Sequence, residues 1–424
     1  MSTPVVETSR TALRDGAFGN ASHLVCRECG AEQPLGPSYA CPECFGPLQV
    51  GYDFPAVTRA QIAAGPRSIW RYQPLLPVPV DITSSRNTEP GGTRLLRADR
   101  LARELGMKTL WVKDDSGNPT HSFKDRVVAV ALSAAREFGA AVFACPSTGN
   151  LANAVAAAGA CAGIPTVVLI PADLERAKVL TTAVYGGTVV AVNGSYDDVN
   201  RLASEIAADR DGWAFVNVNV RPYYSEGSKT LAFEVAEQLG WRLPEQVVVP
   251  VASGSQLTKI DKGFTELAEL GLVDPAPYSI FGAQASGCAP VAAAFKDGHD
   301  VVRPVRPDTI AKSLAIGNPA DAPYVLDVVR RTGGAVEDVS DAEVRDGISL
   351  LARTEGVFAE TAGGVVVATL RKLLETGRLD PDKETVVLNT GDGLKTLGAV
   401  ADRARPSAVI DPSYDDFTSL ELPR

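Results

Sequence analysis

The sequence predicts an α/β protein with mostly parallel sheets, and two observations carry the prediction. From about Thr93 to Val400, short runs rich in Val and Ile alternate with helical stretches. Several runs also end in Gly, Ser or Asn turns that open the next helix, where parallel sheets present their ligand-binding edge. In chain order the expected strands are Leu110–Lys113, Ala141–Cys145, Thr166–Ile170, Thr188–Val192, Ala214–Val218, Gln246–Val251, Ser279–Ala283 and Thr385–Leu388. Between them, Asp125–Phe138 sets Val127, Val128, Ala131, Ala134, Ala135 and Phe138 on one helical face, and Glu226–Leu239 reads as a second helix.

The flanks read differently. Residues 1–19 and 403–424 are expected as tails, 20–52 as a cysteine module, 53–92 as a connecting arm and 93–402 as the catalytic region. The first twenty residues carry Glu7, Arg10, Arg14 and Asp15, so no apolar signal core is expected there. Leu151–Ile170 is broken by Asn153, Gly163 and Pro165 and reads as helix, turn and strand, not a bilayer span. A cytoplasmic location is the resulting expectation. The net charge of −10 gives no general attraction for nucleic acid or anionic membranes, so an anionic ligand needs locally concentrated cations.

Four turns carry the chemistry. Asn118-Pro-Thr-His-Ser-Phe-Lys-Asp125 places Lys124 at a loop-to-helix junction, where enclosure lowers an amine's pKa. Pro146-Ser-Thr-Gly-Asn150 offers either an anion cradle or an N-cap from Ser147 or Thr148. Ala252-Ser-Gly-Ser-Gln-Leu257 brings several N–H groups together at a helix start, as a phosphate cradle does. Asn389-Thr-Gly-Asp-Gly-Leu-Lys395 is either a functional turn, with the Thr390 hydroxyl available, or a plain glycine turn. All four follow strands of one α/β unit and so are expected to converge on one cleft.

Cys26-x2-Cys29, eleven residues, then Cys41-x2-Cys44 has zinc-ribbon spacing. Four thiolates close a tetrahedral site, so the metal is expected to be structural. A nucleic-acid role is not expected, since Arg27 is the sole Lys or Arg of residues 20–52 against Glu28, Glu32 and Glu43.

Together NPTHSFKDR, STGN, the Glu226–Thr230 run EGSKT, the SGS turn and TGDGLK resemble the threonine synthase branch of the fold type II pyridoxal-phosphate enzymes, over roughly Gly91 to Ala399. The resemblance implies two α/β domains with the cofactor between them, the smaller roughly 138–221. It implies Lys124 as the Schiff-base lysine, Asn150 at the cofactor's 3′-oxygen, Ser253, Gly254, Ser255, Gln256 and Leu257 around its phosphate, and Thr390 at its ring nitrogen. The implied reaction turns O-phospho-L-homoserine and water into L-threonine and phosphate. Ser147 and Thr148 are then expected near the substrate. Lys113, Arg126, Arg221, Lys229 and Lys259 are candidate cations for its phosphate, with Arg221 and Lys229 favoured. Two departures, Leu151 for Thr and Tyr224 for Arg, bear on substrate identity. They motivate a β-replacement or dehydratase alternative, acting on serine, threonine or phosphoserine and including a cysteate-synthase-like activity. A non-catalytic zinc-ribbon sensor is the alternative from another class. A symmetric homodimer is expected from size.

Overall fold

The computed structural model describes residues 16–82, 88–147 and 149–421. Strands β1 (Ala21–Cys26), β2 (Glu32–Gln33) and β3 (Leu48–Tyr52) form a small antiparallel sheet in the order β2-β1-β3. The cysteine module is therefore a folded unit. It extends before residue 20, because Phe18 is buried against Phe138 and Tyr223. The expected arm is also more than a linker. Ile69, Trp70, Tyr72, Leu75, Leu76 and Val78 are buried in the same core as Phe233 and Phe264.

The rest of the chain builds two further sheets. Strands β4 (Arg94–Arg97) and β5 (Leu110–Asp114) open the larger one. The chain then leaves it to make β6 (Val142–Pro146), β7 (Thr166–Pro171), β8 (Thr188–Val192) and β9 (Trp213–Phe215). These pair in parallel in the order β8-β7-β6-β9. It returns with β10 (Gln246–Pro250), β11 (Ser279–Ala285), β12 (Val336–Val339) and β13 (Thr385–Asn389) to complete the order β12-β11-β10-β13-β5-β4. Only the β4–β5 pair is antiparallel in that sheet.

The large sheet is buried on both faces, as parallel sheets require. Side chains alternate with period two. Val247, Val249 and Val386 enter one core, while Val248 and Val387 enter the other with Ile348, Val366 and Leu370.

Two strands escaped the apolar-run reading for physical reasons. In β4 the exposed Arg94 and Arg97 break the pattern, as charges on an edge strand do. In β12 the central residues are acidic, and Glu337 and Asp338 pair with Lys296 at the opposite edge. The expected Ala214–Val218 strand ends early at Phe215, whose N–H donates to Asn219 Oδ1 at 2.8 Å in a turn.

A buried ionic network fixes the helix Lys124–Glu137. Arg126 is fully buried and donates from Nε to Asp115 at 2.7 Å and from Nη1 to Glu234 at 2.7 Å. Lys113 Nζ donates to Glu234 at 2.6 Å. Burial opposes ionisation of Glu234, but Arg126 and Lys113 outweigh it and hold the carboxyl well below the usual range. Gly227 lets the next segment cross closely: a Cβ there would lie 2.6 Å from Val127 Cα.

Removing one partner of a buried ion pair strands the other charge and costs about 3–5 kcal/mol. Arg126→Met is accordingly expected to lower stability by about that amount, read as a fall in the denaturant midpoint with the slope preserved.

Candidate active site

Lys124 stands where three turns meet. Within its loop, His121 adopts φ 61°, a left-handed conformation uncommon for a non-glycine residue. The loop is bonded to the turn after β13. Phe123 N–H donates to Thr390 O at 3.0 Å, and Asp392 N–H donates to His121 O at 3.1 Å. Asp125 accepts from the N–H and hydroxyl of Thr120, each at 2.8 Å. Burial pushes Asp125 up to about 6, against those donors.

The Lys124 amine faces a cleft of about 190 Å³ and donates to the Tyr224 hydroxyl at 3.0 Å. Burial lowers its pKa to about 8, with Glu360 opposing the shift. The Tyr224 hydroxyl is itself pushed above its ordinary value by burial, so it stays neutral. Leu151 adds an apolar wall.

The same cleft is lined by Ser147, Asn150, Arg221, Ser253, Gly254, Ser255, Gln256 and Thr390. Four turns from distant parts of the chain thus converge, as expected. The helix Ser255–Glu269 starts at the cleft, so its free N–H groups and positive dipole end are available to an anion there. Gly254 is indispensable at that start. Its φ is +95°, and a Cβ would lie 2.6 Å from Val325 Cγ2 and 3.0 Å from Asp321 Cβ.

Several residues take roles other than those expected. Lys229 is not brought into the cleft. It is fully buried, with Nζ 2.7 Å from Glu226 and 2.8 Å from Glu266, so its charge is already spent on counter-ions. Lys113 and Arg126 are likewise consumed by Glu234 and Asp115, and Lys259 by Glu226. Among the candidate cations, Arg221 remains at the cleft, with Nη2 held by Asp321 Oδ2 at 2.7 Å. The Leu257 side chain sits in the core, leaving only its backbone for the cleft. Gly149, not Ser147, is the N-cap of the helix Asn150–Ala162, but Ser147 Oγ accepts from the N–H groups of Gly149 at 2.9 Å and Ala152 at 2.8 Å and so satisfies a free donor of the helix start. Thr148 lies outside the described residues.

Glu360 was missed. It is 1 % exposed, precedes the helix Thr361–Glu375, lines the cleft and accepts from Asn150 Nδ2 at 2.7 Å. Its signal in the sequence is a lone carboxylate in the apolar and small-residue run Val357-Phe-Ala-Glu-Thr-Ala-Gly-Gly364.

The site fits pyridoxal phosphate. Asn150 Oδ1, Glu360 Oε2 and Gln256 Nε2 are buried at the cleft without hydrogen-bond partners. Unpaired buried polar atoms are costly unless a ligand satisfies them. An amine of lowered pKa lies across from a helix N-terminus suited to phosphate.

At the other site the four cysteine Sγ atoms lie within 4.8 Å of one another. Cys26–Cys44 and Cys29–Cys41 are 3.5 and 3.8 Å apart. A tetrahedron with zinc–sulfur bonds of about 2.3 Å has sulfur edges of about 3.8 Å, so the set fits zinc.

The pyridoxal-phosphate dependent enzyme family matches residues 87–391. The threonine synthase of Methanosarcina acetivorans is 38% identical over 401 residues, covering 93% of this chain and 97% of that protein. The threonine synthase of Methanocaldococcus jannaschii is 38% identical over 377 residues, covering 87% and 92%. A fungal L-serine ammonia-lyase from Rhizomucor miehei shares the fold with TM-score 0.62 at 21% identity, covering 73% of this chain and 98% of that one. O-ureido-L-serine synthase does so with TM-score 0.60 at 19% identity, covering 81% and 100%. The family match over residues 87–391 and two relatives aligned over nearly their whole length place the chain among the pyridoxal-phosphate dependent enzymes, in their threonine synthase family.

Proposed function

We propose that this chain converts O-phospho-L-homoserine and water into L-threonine and inorganic phosphate. The observation that carries the reading is the Lys124 amine, poised near neutrality in a cleft with an arginine on one wall and a phosphate-type helix start beside it. The threonine synthase relatives support the same substrate.

In this reading Lys124 holds the cofactor covalently. The Ser253–Leu257 turn receives its phosphate, Thr390 faces its ring and Asn150 its ring oxygen. Bound there, pyridoxal phosphate supplies the electron sink for the pair left at the substrate α-carbon. Lys124, with a pKa of about 8, takes the α-proton and returns protons along the Cα–Cβ bond. Neutral Tyr224 accepts from the Lys124 ammonium and steadies it between transfers. Arg221 presents its guanidinium to the leaving phosphate, while Asp321 fixes its direction. Leu151 and the buried wall keep bulk water from the reacting carbons except for the molecule that adds at Cβ.

Cys26, Cys29, Cys41 and Cys44 hold a structural zinc ion in this reading. Cys26 Sγ accepts from the Glu28 N–H and Cys44 Sγ from the Gly46 N–H, each at 3.4 Å, contacts that favour thiolate ligands. Among the described residues no helix is long and apolar enough to cross a membrane. We further propose a catalytic region over 93–402, a smaller unit over 138–221, a cytoplasmic setting and a homodimer without nucleic-acid partners. Tyr224 beside the lysine favours, as the second reading, β-replacement or dehydration of a smaller amino acid such as phosphoserine.

Three outcomes are expected. Purified protein forms threonine and phosphate in equal amounts from O-phospho-L-homoserine, with visible cofactor absorbance that Lys124→Ala abolishes; turnover of O-phosphoserine instead would transfer the assignment to the second reading. Cofactor uptake by cofactor-free protein, followed by visible absorbance, accelerates as pH rises and levels off above about 8, where the lowered Lys124 pKa leaves the amine neutral. Metal analysis finds about one zinc per chain, and Cys29→Ser loses it and opens the cysteine module to protease.

A further inference from the structure

The cysteine module touches the catalytic cleft through one charge. Arg27, between Cys26 and Cys29, donates from Nη1 to Asp321 Oδ1 at 3.1 Å. The other oxygen of that carboxylate, Oδ2, holds Arg221 at 2.7 Å. Asp321 is 4% exposed, and its N–H donates to Ser253 O at 2.9 Å, so it lies directly under the anion turn. Arg27 is fixed from its other side. Its guanidinium lies over the Tyr324 ring at 3.5 Å from the centroid, and the Tyr324 hydroxyl donates to Glu28. The module is anchored independently by Lys262 Nζ to Val50 O at 2.8 Å and by the Tyr52 hydroxyl to Glu226 at 2.7 Å.

We propose that Arg27 is a positioning residue for the substrate's phosphate: by sharing the Asp321 carboxylate, it leaves Arg221 with positive charge to spend in the cleft. Alone, Asp321 and Arg221 form a neutral pair with little pull on an anion. With Arg27 added the trio carries one net positive charge, in a chain whose total is −10. Partial burial strengthens the effect, because the field is less screened than in water. The cysteine module thereby contributes to substrate affinity without any of its residues lining the cleft.

The inference rests on the assignment of Arg221 to the phosphate, and the test separates the two. Holoenzyme is assayed for kcat, KM for O-phospho-L-homoserine, inhibition by inorganic phosphate and visible cofactor absorbance. Arg27→Met keeps most of the packing on Tyr324 and is expected to raise KM and the phosphate inhibition constant about tenfold, the effect of one charge-assisted contact, with kcat and absorbance unchanged. Arg27→Lys keeps the charge and is expected to hold both constants within about threefold. Adding Asp321→Asn to Arg27→Met removes the negative charge that neutralises Arg221 but keeps an amide oxygen to accept from its guanidinium, and is expected to restore phosphate affinity. A merely structural contact predicts no such rescue. Unchanged phosphate inhibition in Arg27→Met, or a loss that Asp321→Asn leaves in place, overturns the proposal while an affected Arg221→Ala keeps the Arg221 assignment standing. An unaffected Arg221→Ala removes that assignment, and this proposal with it.

Discussion

The structure depends on how three consecutive charged residues are divided. The Lys124 amine is left facing the cleft while its two neighbours are tied down. Asp125 closes the loop onto Thr120, and Arg126 is sunk among Asp115, Glu234 and Thr230. A lysine two residues away from such an anchor has its Cα fixed, so the direction in which its side chain leaves for the cleft is set by the backbone. That is the preorganisation that proton transfer at a fixed carbon needs. The same anchoring joins β5, the helix Lys124–Glu137 and the helix Lys229–Gln238 through shared buried charges.

Much of this was legible in the sequence. The eight Val- and Ile-rich runs fell on strands, Ala214–Val218 only as far as Phe215, because central parallel strands buried on both faces leave little room for polar residues and the exposed edge strand Thr188–Val192 keeps the same β-branched composition. The four turns fell on one cleft because each leaves the carboxyl end of a parallel strand, three from β5, β10 and β13 of the large sheet and one from β6 of the smaller. What stayed hidden was hidden by charge. The strands Arg94–Arg97 and Val336–Val339 carry their charged residues at sheet edges, where periodicity gives no warning. The arm over 53–92 reads as polar and Pro-rich, yet its few aromatic and aliphatic side chains fill the core.

Cations were the hardest residues to assign. In an acidic protein a lysine beside a family motif invites a ligand role, yet Lys113, Lys229 and Lys259 are each held by a carboxylate deep in the fold. The EGSKT run is mainly a structural clamp. Glu226 gathers Lys229, Lys259 and Lys262, Gly227 permits a close crossing, and Thr230 accepts from Arg126. Sequence shows which residues are charged; only packing shows which charges are already matched. Glu360 is the converse case, an unremarked carboxylate that reaches the cleft because the Gly391 backbone bonds the chain there: Glu360 N–H donates to Gly391 O at 3.0 Å.

The left-handed glycine at position 254 has a bearing on redesign. Its hydrogen atom occupies the only space between the anion turn and the Ala322–Arg331 helix beneath it. Diversifying that position would lift the whole turn off its bed. Changes of anion preference fall instead to the flanking serines at 253 and 255, with Ser253 Oγ accepting from the Ser255 N–H at 3.4 Å. The seat itself acts as a fixed datum from which any new pocket has to be measured.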